Sequence, residues 1–210
     1  MALMDTQTHW DKAYTEKAEN QVSWFQAMPA RSLAMIAAAS TPQASGTKSS
    51  VIDVGGGASR LVDALLDAGH GDVSVLDISR AALAKDGARL GEKAARVDWI
   101  CADITRWRPA RQWDVWHDRA LFHFLTAPAA QDAYIAALKA ATHPGSAVIL
   151  STFAPDGPER CSGLPVQRYG VADLAAKLGP GFALYDEAQE HHVTPWGSVQ
   201  AFTYAAFRCV

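Results

Sequence analysis

Three aspartates occupy matching places in the sequence, each within or just after a short apolar run bounded by turn residues. Asp53 lies in the run VIDV, Asp77 ends the run VSVLD, and Asp103 follows the run VDWIC. A lone aspartate at such a place often caps a helix or lies solvated in a loop. Three of them in succession, beside a glycine turn, indicate carboxylates that hold one ligand together.

A turn of three glycines, Gly55, Gly56 and Gly57, follows the first run and precedes a helical segment. Glycines let backbone N–H groups approach a ligand closely, and the N-terminus of a helix adds positive potential there. Such a turn serves dinucleotides and S-adenosylmethionine alike. Arg60 stands where the dinucleotide pattern G-x-G-x-x-G needs its third glycine, which disfavours NAD.

The three acids match the parts of S-adenosylmethionine. We expect Asp53 near its ammonium end, directly or through water. Asp77 is placed to accept hydrogen bonds from both ribose hydroxyls. Asp103 could accept from the adenine amino group, with Ile104 against the ring.

The elements that must position these residues alternate along the chain. Apolar periodicity and turn residues predict helices over 30–39, 59–68, 79–90, 128–141 and 171–178, and strands over 51–54, 73–77, 97–101, 113–116 and 147–153. Such alternation predicts an α/β fold whose sheet is mostly parallel, with ligands at the carboxyl ends of its strands. Residues 183–193 and 199–210 are predicted to form an antiparallel hairpin at the sheet edge. Residues 40–50 are predicted to form a surface linker.

Composition excludes several classes of protein. The 210 residues suit one globular domain, 49% hydrophobic and 20% charged. A net charge of −3 without a dense basic run argues against a nucleic-acid partner. We find no apolar run of the roughly 18 residues that a membrane span needs, and no secretion signal. Cys101, Cys161 and Cys209 form no CxxC pair, so we expect a cytoplasmic protein with no metal site and no disulfide framework.

Several longer segments carry a family resemblance. VIDVGGGAS, SVLDIS, CADIT, WDVWHDRALFHFL and HPGSAVILSTF, with VSWFQAMPARSL upstream and TPWGSVQAFTY near the end, resemble class I S-adenosylmethionine-dependent methyltransferases, in particular a bacterial group acting on small molecules. The resemblance runs from Trp10 to the last strand. It implies a doubly wound, seven-stranded sheet of order 3-2-1-4-5-7-6, with S-adenosylmethionine as cofactor and S-adenosylhomocysteine as product. It also implies that residues 1–45 cap the cofactor and that residues 46–210 bind it, within one globular domain.

The predicted site follows from these patterns and from the resemblance. Many members of the family have a third glycine where Ser59 stands. The residues predicted to bind the cofactor are Trp24, Asp53, Gly55, Gly56, Gly57, Ser59, Arg60, Asp77, Ile78, Asp103, Ile104 and Asp118. The residues predicted to line the acceptor pocket are Trp24, Arg119, Phe122, Tyr169 and Trp196, and the predicted catalytic residues are His123, Arg168 and His117.

Simpler interpretations of three of these residues remain open. His123 could be a core histidine, Arg168 could pair with Asp173 on the surface, and Trp196 could pack within the hairpin.

The sequence HDR at 117–119 replaces the Asn/Asp-Pro-Pro-Tyr/Phe motif of enzymes that methylate amino groups of nucleic acids, so base methylation is disfavoured.

The acceptor is predicted to be small, and its chemistry depends on how easily the nucleophile loses a proton. Deprotonating a lysine-like amine at pH 7 costs about 4–5 kcal/mol, and a thiol about 2. The aromatic and cationic residues after the fourth strand favour S-methylation of a small thiol or sulfide. Three alternatives stay open: protein-lysine N-methylation, non-catalytic binding of S-adenosylmethionine, and an NAD-dependent oxidoreductase. We expect a monomer or a homodimer with a small-molecule substrate and neither nucleic-acid nor membrane partners.

Overall fold

The computed structural model describes residues 3–40 and 48–210, with side chains from residue 6 onward. Most of the predicted linker over 40–50 therefore lies outside the described residues. The helices are α1 (Leu3–Glu16), α2 (Ala30–Ala39), α3 (Leu61–Asp67), α4 (Arg80–Leu90), α5 (Pro128–Ala141) and α6 (Val171–Leu178). The strands are β1 (Val51–Val54), β2 (Val73–Asp77), β3 (Val97–Cys101), β4 (Trp113–Arg119), β5 (Thr142–Phe153), β6 (Arg160–Cys161), β7 (Leu164–Pro165), β8 (Phe182–Val193) and β9 (Val199–Cys209).

Seven strands form one sheet of order β3-β2-β1-β4-β5-β9-β8, and β6 and β7 form a separate two-stranded ribbon. Strands β1 to β5 pair in parallel, whereas β9 runs antiparallel to both β5 and β8. Without the short ribbon, the order is 3-2-1-4-5-7-6. The predicted doubly wound sheet with its antiparallel hairpin is confirmed.

Side chains of the central strands alternate between the two faces of the sheet, and helices bury both faces. Val51 packs in a core cluster with residues of α2 and α3, whereas Ile52 and Val54 pack in a second cluster with residues of α5 and α6. Asp53 pairs in register with His117 of the neighbouring strand. Because of this alternation, both side chains face the layer formed by α2 and α3.

Local signals set most of the element ends. Ser79 caps α4 by accepting a hydrogen bond from the Ala82 N–H at 3.1 Å, and Gly69 closes α3 with a positive φ of 88°. Strand β4 continues to Arg119, past the predicted end at residue 116. The sequence pattern stops there because the buried residues that follow are polar, and only tertiary partners make their burial favourable.

The main element absent from the sequence-based prediction is α1. Its segment, LMDTQTHWDKAYTE, has too few apolar residues to show a clear helical period. None of the helices within 3–40 and 48–210 is long and apolar enough to cross a membrane.

Candidate active site

A crevice opens at the carboxyl ends of the central parallel strands. It consists of a larger and a smaller cavity, which share Trp24, Gly55 and Arg119 in their walls. A ligand could therefore extend from one cavity into the other past the glycine turn.

The glycine turn lies beside the crevice, and two of its positions have no room for a side chain. Gly55 and Gly57 adopt positive φ angles of 71° and 54°. A Cβ on Gly55 would lie 2.6 Å from the Leu121 side chain, and one on Gly57 would lie 2.2 Å from the Tyr14 hydroxyl. Both positions require glycine for backbone conformation and for space.

Asp77 lies in the wall of the larger cavity at the end of β2. Its carboxylate accepts hydrogen bonds from the Ser79 N–H at 2.7 Å and from the Gly57 backbone. Burial raises the pKa of Asp77 to about 7, although these two hydrogen bonds act in the opposite direction. The group is therefore poised to change its charge near neutral pH.

Asp103 lies in the same wall, in the turn after β3. Its Oδ1 accepts from the backbone N–H and the hydroxyl of Thr105, at 2.9 and 2.8 Å. Its Oδ2 is buried and has no hydrogen-bond partner among the residues that the structure describes. Ile104 is buried beside it in the cavity wall. This oxygen is available to a donor on a ligand.

Asp53 belongs to a buried chain of hydrogen bonds at the smaller cavity. Its Oδ1 lies 2.7 Å from Nδ1 of His117, and Nε2 of the same ring lies 2.9 Å from the Ser32 hydroxyl. Together the three residues connect β1 and β4 to α2.

Aromatic side chains of the N-terminal segment cover the larger cavity. The Trp10 ring lies 5.8 Å from Trp24, 5.0 Å from Phe124 and 6.2 Å from Tyr14, between centroids. The sequence analysis gave no role to Trp10, Tyr14 or Phe124. Trp10 and Tyr14 are four residues apart, which puts them on one face of α1, and this spacing was the available signal.

Polar contacts fasten the same segment to the rest of the fold. The Asp11 carboxylate accepts from the Ser79 hydroxyl at 2.7 Å, at the beginning of α4. Glu19 pairs with Arg60 and with Arg89, each at 2.6 Å. We call residues 3–40 the cap.

Arg119, at the end of β4, lies where the two cavities meet. Its Nε donates to the Tyr204 hydroxyl and its Nη1 to the Trp24 carbonyl, both at 3.0 Å. Its guanidinium lies 4.7 Å from the centroid of the Phe202 ring. Its Nη2 is buried without a partner in the described parts of the chain. The guanidinium thus keeps donor capacity in the wall of the crevice.

Comparison with known proteins identifies the chemistry that such a crevice serves. Residues 51–145 match a protein-family model described as a methyltransferase domain, and this range includes the glycine turn and all three aspartates. Residues 51–145 therefore form a methyltransferase domain, and the sheet has the class I methyltransferase fold. No curated protein shows significant sequence similarity to it.

Solved structures share the fold of this methyltransferase at low sequence identity. One, described for the conversion of a disulfide bond into a thioacetal group during echinomycin biosynthesis, has a TM-score of 0.73 at 18% identity and covers 97% of this chain and 92% of its own. The N-methyltransferase NodS from Bradyrhizobium japonicum WM9, in complex with S-adenosylhomocysteine, has a TM-score of 0.70 at 13% identity and covers 96% and 98%. The 1,6-didemethyltoxoflavin-N1-methyltransferase from Burkholderia thailandensis has a TM-score of 0.65 at 20% identity and covers 99% and 85%.

The residues of the crevice fit S-adenosylmethionine, the cofactor of the methyltransferase. Asp77 has a carboxylate suited to ribose hydroxyls, and the unpaired Asp103 Oδ2 suits the adenine amino group. Gly55 and Gly56 line the crevice, whereas Gly57 lines neither cavity, because the Tyr14 side chain fills the space beside it. Trp24, Ile78 and Ile104 also line the larger cavity, and Ser59 and Arg60 the smaller one.

The structure places two of the predicted catalytic residues elsewhere. His123 is fully buried between Phe124 and Phe153 and accepts a hydrogen bond from the Phe153 N–H at 3.3 Å. Burial lowers its pKa to about 3, so the ring is neutral at physiological pH. Arg168 contacts the Gly157 carbonyl and Glu159, within its own loop. Neither side chain lines the two cavities of the crevice.

Four further predicted residues also lie outside the crevice. Asp118 faces the opposite side of the sheet, where it accepts from Tyr134 at 2.6 Å and from the Leu121 N–H at 2.8 Å. Phe122 and Tyr169 pack in the core on that side. Trp196 is 60% exposed in the turn between β8 and β9. Asp118 therefore holds the loop that carries Leu121, and of the predicted acceptor residues only Trp24 and Arg119 line the crevice.

Proposed function

We propose that this methyltransferase acts on a small acceptor, and that the acceptor is a thiol or hydrosulfide methylated at sulfur. The observation that carries the proposal is the Arg119 guanidinium, with its unpartnered Nη2, in a crevice otherwise walled largely by apolar and aromatic groups. Arginine stays protonated at all physiological pH values. A fixed positive charge in such surroundings favours an anionic nucleophile over a cationic one.

The energetics agree with a sulfur nucleophile. Ionising a thiol at pH 7 costs about 2 kcal/mol, and one charged hydrogen bond to the thiolate contributes about 1.5–3 kcal/mol. The same guanidinium would repel the ammonium form of an amine, which already costs about 4–5 kcal/mol to neutralise. This repulsion works against protein-lysine methylation.

In this proposal the cofactor activates the methyl group, and the protein orients the reactants with little acid–base chemistry of its own. When bound, S-adenosylmethionine supplies a methyl group activated by a sulfonium. Asp77 and Asp103 would hold the nucleoside, and Arg119 would hold the acceptor sulfur as the thiolate after its proton has passed to solvent. The thiolate would then receive the methyl group, with S-adenosylhomocysteine as the leaving product. Orientation of this kind contributes roughly 7–11 kcal/mol.

The cap would exclude water and restrict the size of the acceptor. Trp10, Tyr14 and Trp24 lie over the larger cavity, and residues 1–45 in this proposal cover the bound cofactor. An aromatic wall over the cavity suits a small acceptor better than a peptide side chain with its backbone. The similar structures named above concern a disulfide-to-thioacetal conversion, a toxoflavin precursor and an N-methyltransferase, so small nitrogen compounds belong among the test substrates.

The test is a transfer assay with methyl-labelled S-adenosylmethionine. Sulfide, methanethiol and larger thiols are offered beside amines and nitrogen heterocycles of matched size. We expect product from small thiols and a steep loss of rate as the thiol grows. Product from amines alone, or none from any thiol, would overturn the proposed acceptor.

Arg119→Met tests the role of the guanidinium. We expect turnover of a thiol at pH 7 to fall about 10- to 100-fold, the equivalent of one charged hydrogen bond. Activity should recover towards alkaline pH, where the thiolate forms without help. The matched control is Arg168→Met, which removes an arginine outside the crevice and should leave the rate unchanged. Equal loss at all pH values would contradict the role.

A further inference from the structure

A hydrogen-bonded series of three buried polar side chains, Ser32, His117 and Asp53, lies at the crevice. Their exposed fractions are 1%, 2% and 3%. Each belongs to a different element: Ser32 to α2 of the cap, His117 to β4 and Asp53 to β1. The sheet register places His117 directly beside Asp53. All three line the smaller cavity.

We propose that His117 is a positioning residue for the amino-acid end of the cofactor. It holds the Asp53 carboxylate in the orientation that receives the α-ammonium group of S-adenosylmethionine, and Ser32 in turn holds the imidazole. The inference rests on the cofactor of the proposed function but not on the identity of the acceptor. It replaces the sequence-based prediction that His117 is catalytic.

The chemistry of the carboxylate determines which atom donates the hydrogen bond between Asp53 and His117. An ionised carboxylate only accepts, so the proton between Asp53 and His117 lies on Nδ1. Nε2 of the same ring lies 2.9 Å from the Ser32 hydroxyl, a group that can donate or accept. The ring cannot turn without breaking both contacts.

The position of Asp53 relates the chain to the cofactor. Asp77 and Asp103 line the larger cavity and suit the ribose and adenine, so the amino-acid part of the same molecule extends past Gly55 into the smaller cavity. The second carboxylate oxygen of Asp53 lies at the glycine turn, 2.8 Å from the place of a Cβ on Gly56. His117 leaves this oxygen free because it contacts Oδ1.

The charges in the smaller cavity fit a zwitterionic end group. Asp53 supplies a negative charge for the ammonium, while Arg60, which also pairs with Glu19, lines the same cavity and supplies a positive charge for the carboxylate. Since Ser32 belongs to α2, packing of the cap and orientation of Asp53 are coupled through one ring.

The experiment compares two ligands that share a nucleoside and differ at the proposed contact. S-adenosylhomocysteine carries the amino acid, and 5′-methylthioadenosine lacks it. Calorimetry with wild type, His117→Ala, His117→Asn and Ser32→Ala gives both affinities. We expect His117→Ala to weaken S-adenosylhomocysteine about 10- to 100-fold and to change 5′-methylthioadenosine less than twofold. His117→Asn, which can keep a donor near the position of Nδ1, should restore most of the loss.

Two variants keep the test independent of folding. Ser32→Ala removes only one hydroxyl and should give a smaller loss of the same selective kind. His123→Asn alters a buried histidine outside the crevice and should leave the ratio of the two affinities unchanged. A parallel loss of both ligands in the His117 variants, or no loss of either, would overturn the positioning role. Failure of wild type to bind S-adenosylhomocysteine would instead overturn the cofactor assignment, and this inference with it.

Discussion

At the level of single residues, the crevice concentrates carboxylates whose behaviour depends on how far water is excluded. Asp77 is only 6% exposed, and burial raises its pKa to about 7. The ionised form is the one that can accept hydrogen bonds from two ribose hydroxyls at once. Binding of the nucleoside should therefore favour ionisation, and cofactor affinity should depend on pH.

We expect affinity for S-adenosylhomocysteine to rise about tenfold between pH 6 and pH 8. Asp77 is mostly protonated at the lower pH and mostly ionised at the higher, so binding releases a proton below pH 7. Calorimetry in two buffers of different ionisation enthalpy measures this proton. Asp77→Asn should bind more weakly and with a flat pH profile. A persistent slope in that variant would assign the effect to another buried acid, such as Asp86, whose pKa burial raises to about 8.

Gly57 offers a second test at this level. Gly57→Ala forces a non-glycine residue to a φ of 54° and puts its Cβ against the Tyr14 hydroxyl. We expect a loss of about 1–3 kcal/mol in urea unfolding and weaker cofactor binding. Adding Tyr14→Phe should recover part of the loss, since it removes the colliding oxygen.

The control for Gly57 is Gly87→Ala in α4. A Cβ there meets no other atom within 4 Å outside the helix backbone. This change should stabilise the protein by about 0.5–1 kcal/mol. Equal stability of Gly57→Ala and wild type would contradict the steric argument.

At the level of elements, the cap is attached to the sheet domain through a few charged contacts. Glu19 bridges Arg60, next to the glycine turn, and Arg89 of α4. Arg89 also contacts Asp63 at 2.6 Å, Asp86, and the Ser59 carbonyl at 2.8 Å. One glutamate thus links the cap to both helices beside the crevice.

Glu19→Gln should loosen the cap without unfolding the protein. We expect a stability loss of about 1–2 kcal/mol, discounted because the pair is partly exposed. Amide exchange over residues 6–21 should accelerate, and S-adenosylhomocysteine should dissociate several-fold faster. Asp67→Asn breaks the more exposed pair with Lys93 and should change stability by less than about 0.5 kcal/mol. Unchanged exchange in Glu19→Gln would show that aromatic packing alone holds the cap.

At the level of the whole molecule, ligand binding and global stability are linked. A ligand at 100 times its Kd stabilises the native state by about 2.7 kcal/mol. For a chain of this size, that corresponds to a rise in Tm of roughly 5–11 °C. The linkage provides a test of the cofactor that needs no knowledge of the acceptor.

We expect S-adenosylmethionine and S-adenosylhomocysteine to raise the Tm, and NAD to leave it unchanged. A thermal-shift assay with all three ligands measures this directly. A rise in Tm with NAD alone would favour the NAD-dependent oxidoreductase alternative. It would contradict the proposal that the three aspartates bind S-adenosylmethionine.

Local sequence signals were enough to predict the order of most elements and the position of Asp77 and Asp103 at one edge of the sheet. The strands at 51–54, 73–77 and 97–101 and the helices at 30–39 and 128–141 agree with the structure to the residue. These features have local causes: apolar runs, a serine cap, and glycines in a turn. Asp77 and Asp103 were predictable because parallel strands bring their carboxyl ends to one edge.

Long-range packing determines which residues at the end of β4 reach the crevice. His117 and Arg119 point to the face that the cap covers, while Asp118 points to the other, because side chains alternate along a strand. The sequence shows the alternation but not which face α2 will cover. The same long-range packing brings Trp10 and Tyr14 over the crevice and buries His123 in the core, since contacts between distant segments leave no local pattern in the chain.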